Sequence, residues 1–377
     1  MGVNFLLFKP EGIMGLHFEK VTQQHINIIF TWLAQDFVSE FWDNTQAHKD
    51  DILNFAAGRK VPSNYADGKY HYWIASFNHE PFAMFMTIQE THKDCDIGQE
   101  KLSLLSKSGN TYSLEYLIGN PQYWGKGYGA KTLSEFIYYF REYVDPKGDT
   151  FWIDPATDNP RATPVYMKAG FKHAADFIMK GECSGRDKYH HWFIRKFEPK
   201  ISIYPITIED YPLVQNMARF YVYDLSRKCG NLSSDWSLPE NGLYESFDFK
   251  NYFTDPLRKV YLVKVYDELA GFALLNQATE DPSNTWNMGE FFIIAKFQGQ
   301  GIATRVAHKI WEITPGRWEI PVIPENKKAL IFWEKAITKF TDGAFDQTTK
   351  EVTYDEHQPK RVIFAFDTSK SRNLHSN

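Results

Sequence analysis

Two glycine pairs carry the most readable chemistry in this chain. One lies in Gln122-Tyr123-Trp124-Gly125-Lys126-Gly127-Tyr128-Gly129-Ala130, the other in Lys296-Phe297-Gln298-Gly299-Gln300-Gly301-Ile302-Ala303. A strand that turns through glycines into a helix aims consecutive backbone N–H groups, and the positive end of the helix dipole, at one spot. That spot is an anion site, and its size suits a pyrophosphate. Two such turns imply a duplicated nucleotide-handling domain. Gly125-x-Gly127-x-x-Ala130 also fits the dinucleotide-binding fingerprint, but that motif should close the first strand of its domain, and the second copy breaks it at Thr304. A phosphate-binding loop would need Ser or Thr after Gly-Lys, and here Lys126 is followed by Gly127.

The flanking elements repeat as well. Each turn follows a run of strand character, at 112–119 and at 288–295. Each precedes apolar residues at helical spacing: Leu133, Phe136, Ile137 and Phe140 after the first, Val306, Ala307, Ile310 and Ile313 after the second. Upstream, Thr22 caps a predicted helix lined by Ile26, Ile29, Phe30 and Leu33, and Thr207 caps one lined by Val214, Met217, Ala218 and Tyr221. A hairpin pattern stands before each turn, at 72–77 and 82–88 with its turn at 78–81, and at 260–266 and 270–275 with its turn at 267–269. A further strand, at 150–154 or 318–323, leads to an Asn and a second helix. The repeat places a boundary near Pro199, giving domains 1–198 and 199–377.

With 377 residues, 43% of them hydrophobic, the chain can build two cores. A formal charge of -5 argues against general affinity for nucleic acid or anionic membranes. Cys95, Cys183 and Cys229 are scattered without CxxC spacing, which reads as reduced thiols in a cytoplasmic protein. Phe5-Leu6-Leu7-Phe8 is too short for a secretion signal, and no apolar run approaches membrane-spanning length. The 12 histidines, His190-His191 included, show no metal-ligand spacing with Cys or acids, so no metal is expected.

Gln122-x-x-Gly125-x-Gly127 and Lys296-x-x-Gly299-x-Gly301 resemble the Arg/Gln-x-x-Gly-x-Gly/Ala acetyl-CoA signature of the GNAT superfamily of N-acetyltransferases, with Lys in place of Arg/Gln in the second copy. The resemblance implies an α/β fold of two GNAT-like domains, each a mixed, splayed β-sheet flanked by helices. It implies acetyl-CoA as cofactor, with its pyrophosphate held by Gln122, Gly125, Lys126, Gly127, Tyr128, Gly129 and Ala130, and again by Lys296, Gly299, Gln300, Gly301, Ile302 and Ala303. The pantetheine arm would lie where the preceding strand splays, beside Leu117 and Ile118 or Phe292 and Ile293. The family's later Asn, matched by Asn159 and Asn326, would hydrogen-bond the pantetheine or nearby backbone.

The first half is similar to a narrower branch, the aminoglycoside 6′-N-acetyltransferases and related siderophore-precursor acyltransferases. The matching pieces are Trp32-Leu33, Glu40-Phe41-Trp42, Tyr123-Trp124-Gly125-Lys126-Gly127-Tyr128-Gly129, Asp154-Pro155, and Tyr166-x-Lys168-Ala169-Gly170-Phe171. Asp36-Phe37 stands where siderophore-type members carry a Pro-His pair, which tilts the likeness toward the aminoglycoside-type branch. The second half resembles a separate group of predicted GNAT acetyltransferases through Tyr223-Asp224-Leu225-Ser226, Gly316-Arg317-Trp318-Glu319 and Pro324-Glu325-Asn326.

Acetyl transfer to an amine needs a neutral nitrogen, a polarised thioester and a proton for the leaving thiolate. Deprotonating an alkylammonium at pH 7 costs about 4 kcal/mol, and a carboxylate that anchors the ammonium and then takes its proton meets that need. Glu115 and Asp154, at positions where the branch places acidic residues, are the candidates, for catalysis and for substrate binding. Tyr166, seven residues after Asn159 and so on the same face of one helix, matches the family tyrosine that protonates the thiol. Trp32 and Trp42 either wall the substrate pocket or pack in the core. In the second half Trp333 takes the place of Tyr166, and Glu290 is a candidate base that counts one residue off the register of Glu115. The expected partner is a small polycationic amine. The rival readings are a siderophore precursor or a peptide amine as acceptor, and a CoA-sensing or interaction module with a catalytically dead second half. Oligomeric state is left open.

Overall fold

Alternating apolar runs closed by tight turns set the frame of each half. The computed structural model describes residues 15–92, 99–179, 188–232, 236–244 and 249–369. Phe5, Leu6, Leu7, Phe8, Cys95 and Cys183 lie outside them, and Cys229 is a buried free thiol. The chain divides into two compact units between Pro199 and Lys200.

The first unit contains β1 (Leu16–Lys20), α1 (Ile26–Leu33), α2 (Asp36–Ser39), α3 (Gln46–Ala56), β2 (His71–Phe77), β3 (Glu80–Glu90), α4 (Gln99–Leu104), β4 (Asn110–Ile118), α5 (Tyr128–Tyr139), β5 (Gly148–Ile153), α6 (Ala162–Lys168), β6 (Lys172–Met179) and β7 (Lys188–Lys196). The second contains β8 (Ile201–Pro205), α7 (Tyr211–Cys229), α8 (Asn251–Thr254), β9 (Lys259–Val265), β10 (Glu268–Asn276), β11 (Trp286–Ile293), α9 (Ile302–Ile313), β12 (Arg317–Val322), α10 (Lys327–Thr341), β13 (Phe345–Glu351) and β14 (Lys360–Asp367).

Each unit folds into one seven-stranded sheet, ordered β1-β2-β3-β4-β5-β7-β6 in the first and β8-β9-β10-β11-β12-β14-β13 in the second. The orders are the same, strand for strand. All neighbours are antiparallel except β4–β5 and β11–β12. Those two parallel pairings are short: the first ends at Ser113↔Trp152 and the second at Asn287↔Glu319. Beyond these residues β4 and β11 run on without β5 or β12, so each sheet opens into a cleft toward its glycine turn.

The β2–β3 turn is tighter than the sequence predicts. Asn78 and His79 both have positive φ, 49° and 70°, so two residues suffice and β3 starts at Glu80. Helices α5 and α9 each bury one face. In α5, Leu133, Phe136 and Ile137 are fully buried, and Phe136 stacks on Phe85 at 4.0 Å between ring centroids. Burying a side chain of that size contributes roughly 1.5–3 kcal/mol, which holds α5 against β3. In α9, Ile302, Val306, Ala307, Ile310 and Trp311 do the same. Thr22 and Thr207 both form capping boxes at the helices they precede, with His25 and Asp210 as reciprocal partners.

Candidate active site

The glycine turns take the shape that their residues demand. Gly127 and Gly301 are the N-caps of α5 and α9 with φ of 81° and 73°, and Gly125 and Gly299 have φ of 70° and 74°. This left-handed region is easy for glycine and costly for a side chain. No side chain caps either helix, so the amides of the first turn remain directed outward. A Cβ built on any of these four glycines would meet no protein atom within 4 Å. Open space over a ring of amides at a helix N-terminus fits a pyrophosphate. Gly129 is different: a Cβ there would press Val165 of α6 at 3.3 Å, so it serves close helix packing.

The other predicted cofactor residues fall around the same clefts. Leu117 is buried and Ile118 half-buried at the end of β4, and Phe292 and Ile293 are buried at the end of β11. Gln122 is exposed in a short turn capped by the Asn120 side chain. Lys296 pairs with Glu268 at 2.5 Å, and the Gln300 amide donates to the Lys296 carbonyl at 2.7 Å. Asn326 caps α10 by accepting the Ala329 N–H. Asn159 lies in the turn ahead of α6, outside the helix. The expectation that Asn159 and Tyr166 share one helical face therefore fails, because α6 begins only at Ala162.

Glu115 and Asp154 stand at the mouth of the first cleft. Glu115 lies two residues past the last β4–β5 pair, and Asp154 directly follows β5. Both are half-buried. Burial pushes the Glu115 carboxyl up, the Tyr70 hydroxyl pulls it back by donating to Oε1 at 3.0 Å, and Asp43 adds a further push. Burial, then the Glu115 charge, raise Asp154 to about 7 against the opposing Lys101 ammonium. Neighbouring carboxylates that resist joint ionisation create a site for positive charge. The His190 Nδ1–H donates to the Asp154 carbonyl at 2.7 Å, fixing the backbone on which that carboxylate sits. Tyr166 is buried against Phe171 and Phe193, and burial, then Asp154 and Glu115, hold its hydroxyl well above the usual tyrosine range.

Of the two tryptophans, Trp32 is a core residue. It is 2% exposed, and its ring fills the space that a side chain at position 119 would need. Trp42 is half-buried against the same cluster. Tyr70, Asp43 and His190, which bear on the two candidate carboxylates, carry no mark in the sequence analysis. Tyr70 offered one signal, an aromatic with a polar tip directly before a buried strand.

In the second unit the structure corrects the expected register. Glu115 stands three residues before the last residue of β4, and Glu290 three before the last residue of β11. The partners agree: Ile118↔Ala83 and Glu115↔Met86 in one sheet, Ile293↔Gly271 and Glu290↔Leu274 in the other. The extra residue lies in the loop, which is longer between Ile118 and Gly125 than between Ile293 and Gly299. The two glutamates occupy equivalent positions. Burial raises Glu290 to about 7, and a hydrogen bond with Tyr221 of α7 opposes the rise. Ile323 directly follows β12 as Asp154 follows β5, the β11–β12 register sets Val322 level with Asp154, and Trp333 is buried in α10.

Comparison with known proteins bears on both units. A family model described as "Acetyltransferase (GNAT) domain" matches residues 16–172, and one described as "Acetyltransferase (GNAT) family" matches residues 221–337. The chain belongs to the GNAT acetyltransferases. It is thus a tandem N-acetyltransferase that uses acetyl-CoA. Aminoglycoside N(6′)-acetyltransferases type 1 of Klebsiella pneumoniae and Serratia marcescens are each 23% identical to it over 152 residues, covering 40% of this chain and 71% of theirs. A solved aminoglycoside N(6′)-acetyltransferase of Legionella pneumophila is 22% identical over 48% of this chain and 92% of its own, with a TM-score of 0.38. These likenesses name no acceptor for this tandem acetyltransferase. Among the described residues, no helix is long and apolar enough to cross a membrane.

Proposed function

We propose that the first GNAT unit acetylates a primary amine on a small polycationic molecule, aminoglycoside-like in its charge. The observation that carries the reading is the pair of half-buried carboxylates, Glu115 and Asp154, where β4 and β5 part. The aminoglycoside acetyltransferase relatives support it by name. Acetyl-CoA supplies the activated acetyl group as a thioester. Glu115 receives the ammonium, takes one proton and leaves a neutral nitrogen that can attack the carbonyl. Asp154 holds a second ammonium and so orients the first. Tyr166 would hydrogen-bond the departing sulfur and give it the phenolic proton, which the proton shed by the attacking nitrogen would replace.

The charge of the substrate matters for that last step. Part of the rise in Tyr166 comes from the two carboxylates, and a bound cation cancels that part. Tyr166 is therefore a better acid with the amine in place, although burial, the larger cause of its rise, persists. Tyr166→Phe is expected to lower kcat by about 10²-fold, at the lower end of what general acids supply, with acetyl-CoA affinity unchanged in calorimetry. Unaltered turnover across the pH range would make Tyr166 a packing residue.

The substrate reading is tested by measuring thiol release with aminoglycosides, polyamines, lysine derivatives and peptides. Polycations should give the highest kcat/KM, and that activity should vanish in Gly127→Val while surviving Gly301→Val. If single-charge or neutral acceptors win in the first unit, a siderophore precursor or peptide amine takes the place of the polycation.

For the second unit, the matched position of Glu290 favours an active site over a CoA sensor. One carboxylate, with apolar Val322 and Ile323 at the end of β12 in place of a second acid, suits an acceptor with a single positive charge. In a Gly127→Val background, residual transfer should rise as pH increases through about 7, since protonated Glu290 cannot accept a proton. Glu290→Gln should abolish that activity. A Gly127→Val protein that binds acetyl-CoA yet releases no thiol with any of these acceptors would make the second unit a sensor.

A further inference from the structure

His173 and Asp176 lie three apart on β6, a spacing that normally sends side chains to opposite faces of a sheet. Here they share a face. A β-bulge between His173 and Ala175 adds one residue to the strand, so that His173 pairs with Phe193 and Asp176 pairs with His191 across on β7. Bulges re-aim side chains in this way. All three polar side chains then converge. His173 Nε2 and His191 Nδ1 each lie 2.6 Å from the same carboxylate oxygen, Asp176 Oδ1. The candidate ligand atoms of the three residues all fall within 4.8 Å of one another.

We propose that His173, Asp176 and His191 form a binding site for one divalent transition-metal ion, with zinc as its occupant. Two imidazoles and one carboxylate are the donor set that zinc takes, at about 2.0–2.2 Å from each ligand atom. Tetrahedral ligands at that radius stand about 3.3–3.5 Å apart, so entry of the ion requires both imidazole nitrogens to draw back from Asp176, and to adjust their mutual spacing, by roughly 1 Å. Their positions are already constrained. The rings of His173 and His191 lie 5.4 Å apart, and both rest edge-on against the buried Phe193, at 5.7 and 6.0 Å. Asp176 Oδ1, within hydrogen-bond distance of both imidazoles, supplies the carboxylate ligand between them. Nitrogen donors select against magnesium and calcium, which prefer an all-oxygen shell.

His173 and Asp176 are exposed and His191 half-buried, which leaves a fourth vertex for water. The ion would tie the edge strand β6 to β7. It would also brace Phe193, whose ring contacts that of Tyr166 at 6.3 Å. Neighbouring His190 takes no part, because it points to the other face and bonds the Asp154 carbonyl. The sequence hides the cluster, since its ligands come from two strands and the bulge alone aligns them.

The test is calorimetric titration of the chelator-treated full chain with zinc chloride, then with magnesium chloride. One saturable zinc site per chain is expected, with a melting temperature that rises with zinc concentration. Asp176→Asn should weaken the site at least about tenfold, and the His173→Gln/His191→Gln double variant should lose it. Each variant should keep its circular dichroism spectrum and acetyl transfer in the absence of zinc. The proposal is overturned by an absence of saturable zinc binding, by equal affinity for magnesium, or by a double variant that binds zinc as the wild type does.

Discussion

Glu115→Gln is expected to lower kcat for the best polyamine by about 10²–10⁴-fold, the span that general bases supply. Gln keeps the size of the side chain and an oxygen that accepts the Tyr70 hydroxyl, so the fold and the donor site should persist. What disappears is the proton acceptor. The wild-type rate should fall as pH drops, because burial lifts the Glu115 carboxyl above its ordinary range and brings its protonation closer to neutrality. The variant should lose that acidic limb. Asp154→Asn separates anchoring from base catalysis: KM should rise while most of kcat is spared, since uniform binding rather than proton transfer is removed. Asp154 titrates at about 7 in the free enzyme, and a bound ammonium should draw that value down, so amine affinity should improve as pH rises toward 7. Added salt should weaken amine binding in the wild type more than in either variant. Wild-type kinetics in both variants, on the best amine found, would remove the polycation from the first unit.

How much of this was readable beforehand depends on whether a residue acts through its own backbone or through a neighbour. The glycine turns were readable because positive φ and close approach to an anion both demand glycine, and the duplication repeats that demand. The hairpins and the splayed pair followed from strand patterns and resemblance, and the short β4–β5 and β11–β12 ladders have that form. Counting from the glycines misplaced Glu290 by one, because loop length varies while strand register does not. Counting from Asn159 to Tyr166 assumed a helix that starts later, at Ala162. Tyr70, Asp43 and His190 reach the site from loops and strands remote in sequence, where no local pattern marks them. The environment of Glu115 is a tertiary property, written in the hydroxyl and the charges that folding brings to it.

Gly127→Val should cost the first unit most of its acetyl-CoA affinity while leaving the second unit's intact. Gly127 has φ of 81°, and a β-branched residue is strained there. The strain alone costs about 1–2 kcal/mol, which a domain of this size can absorb. The larger effect is on the anion. Beyond its chain neighbours and its own helix, nothing in the protein stands within 4 Å of a Cβ at this position, so the new side chain would project into the open space proposed for the pyrophosphate. Two charge-assisted N–H bonds lost there, at about 1.5–3 kcal/mol each, predict a loss of roughly 10²–10⁴-fold in affinity. Calorimetry reads the result as stoichiometry. The wild type should take up two acetyl-CoA per chain, Gly127→Val and Gly301→Val one each, and the double variant none. A Gly127→Val chain that still binds two would place the pyrophosphate elsewhere, and the amides of α5 would then be no more than a frayed helix end. A wild type that binds one, lost in Gly127→Val and kept in Gly301→Val, would leave the second turn a structural relic of duplication. The glycine geometry argues against that outcome, because Gly299 and Gly301 hold the same left-handed conformation over the same open space as Gly125 and Gly127. A turn under no demand to receive an anion could have filled that space with side chains.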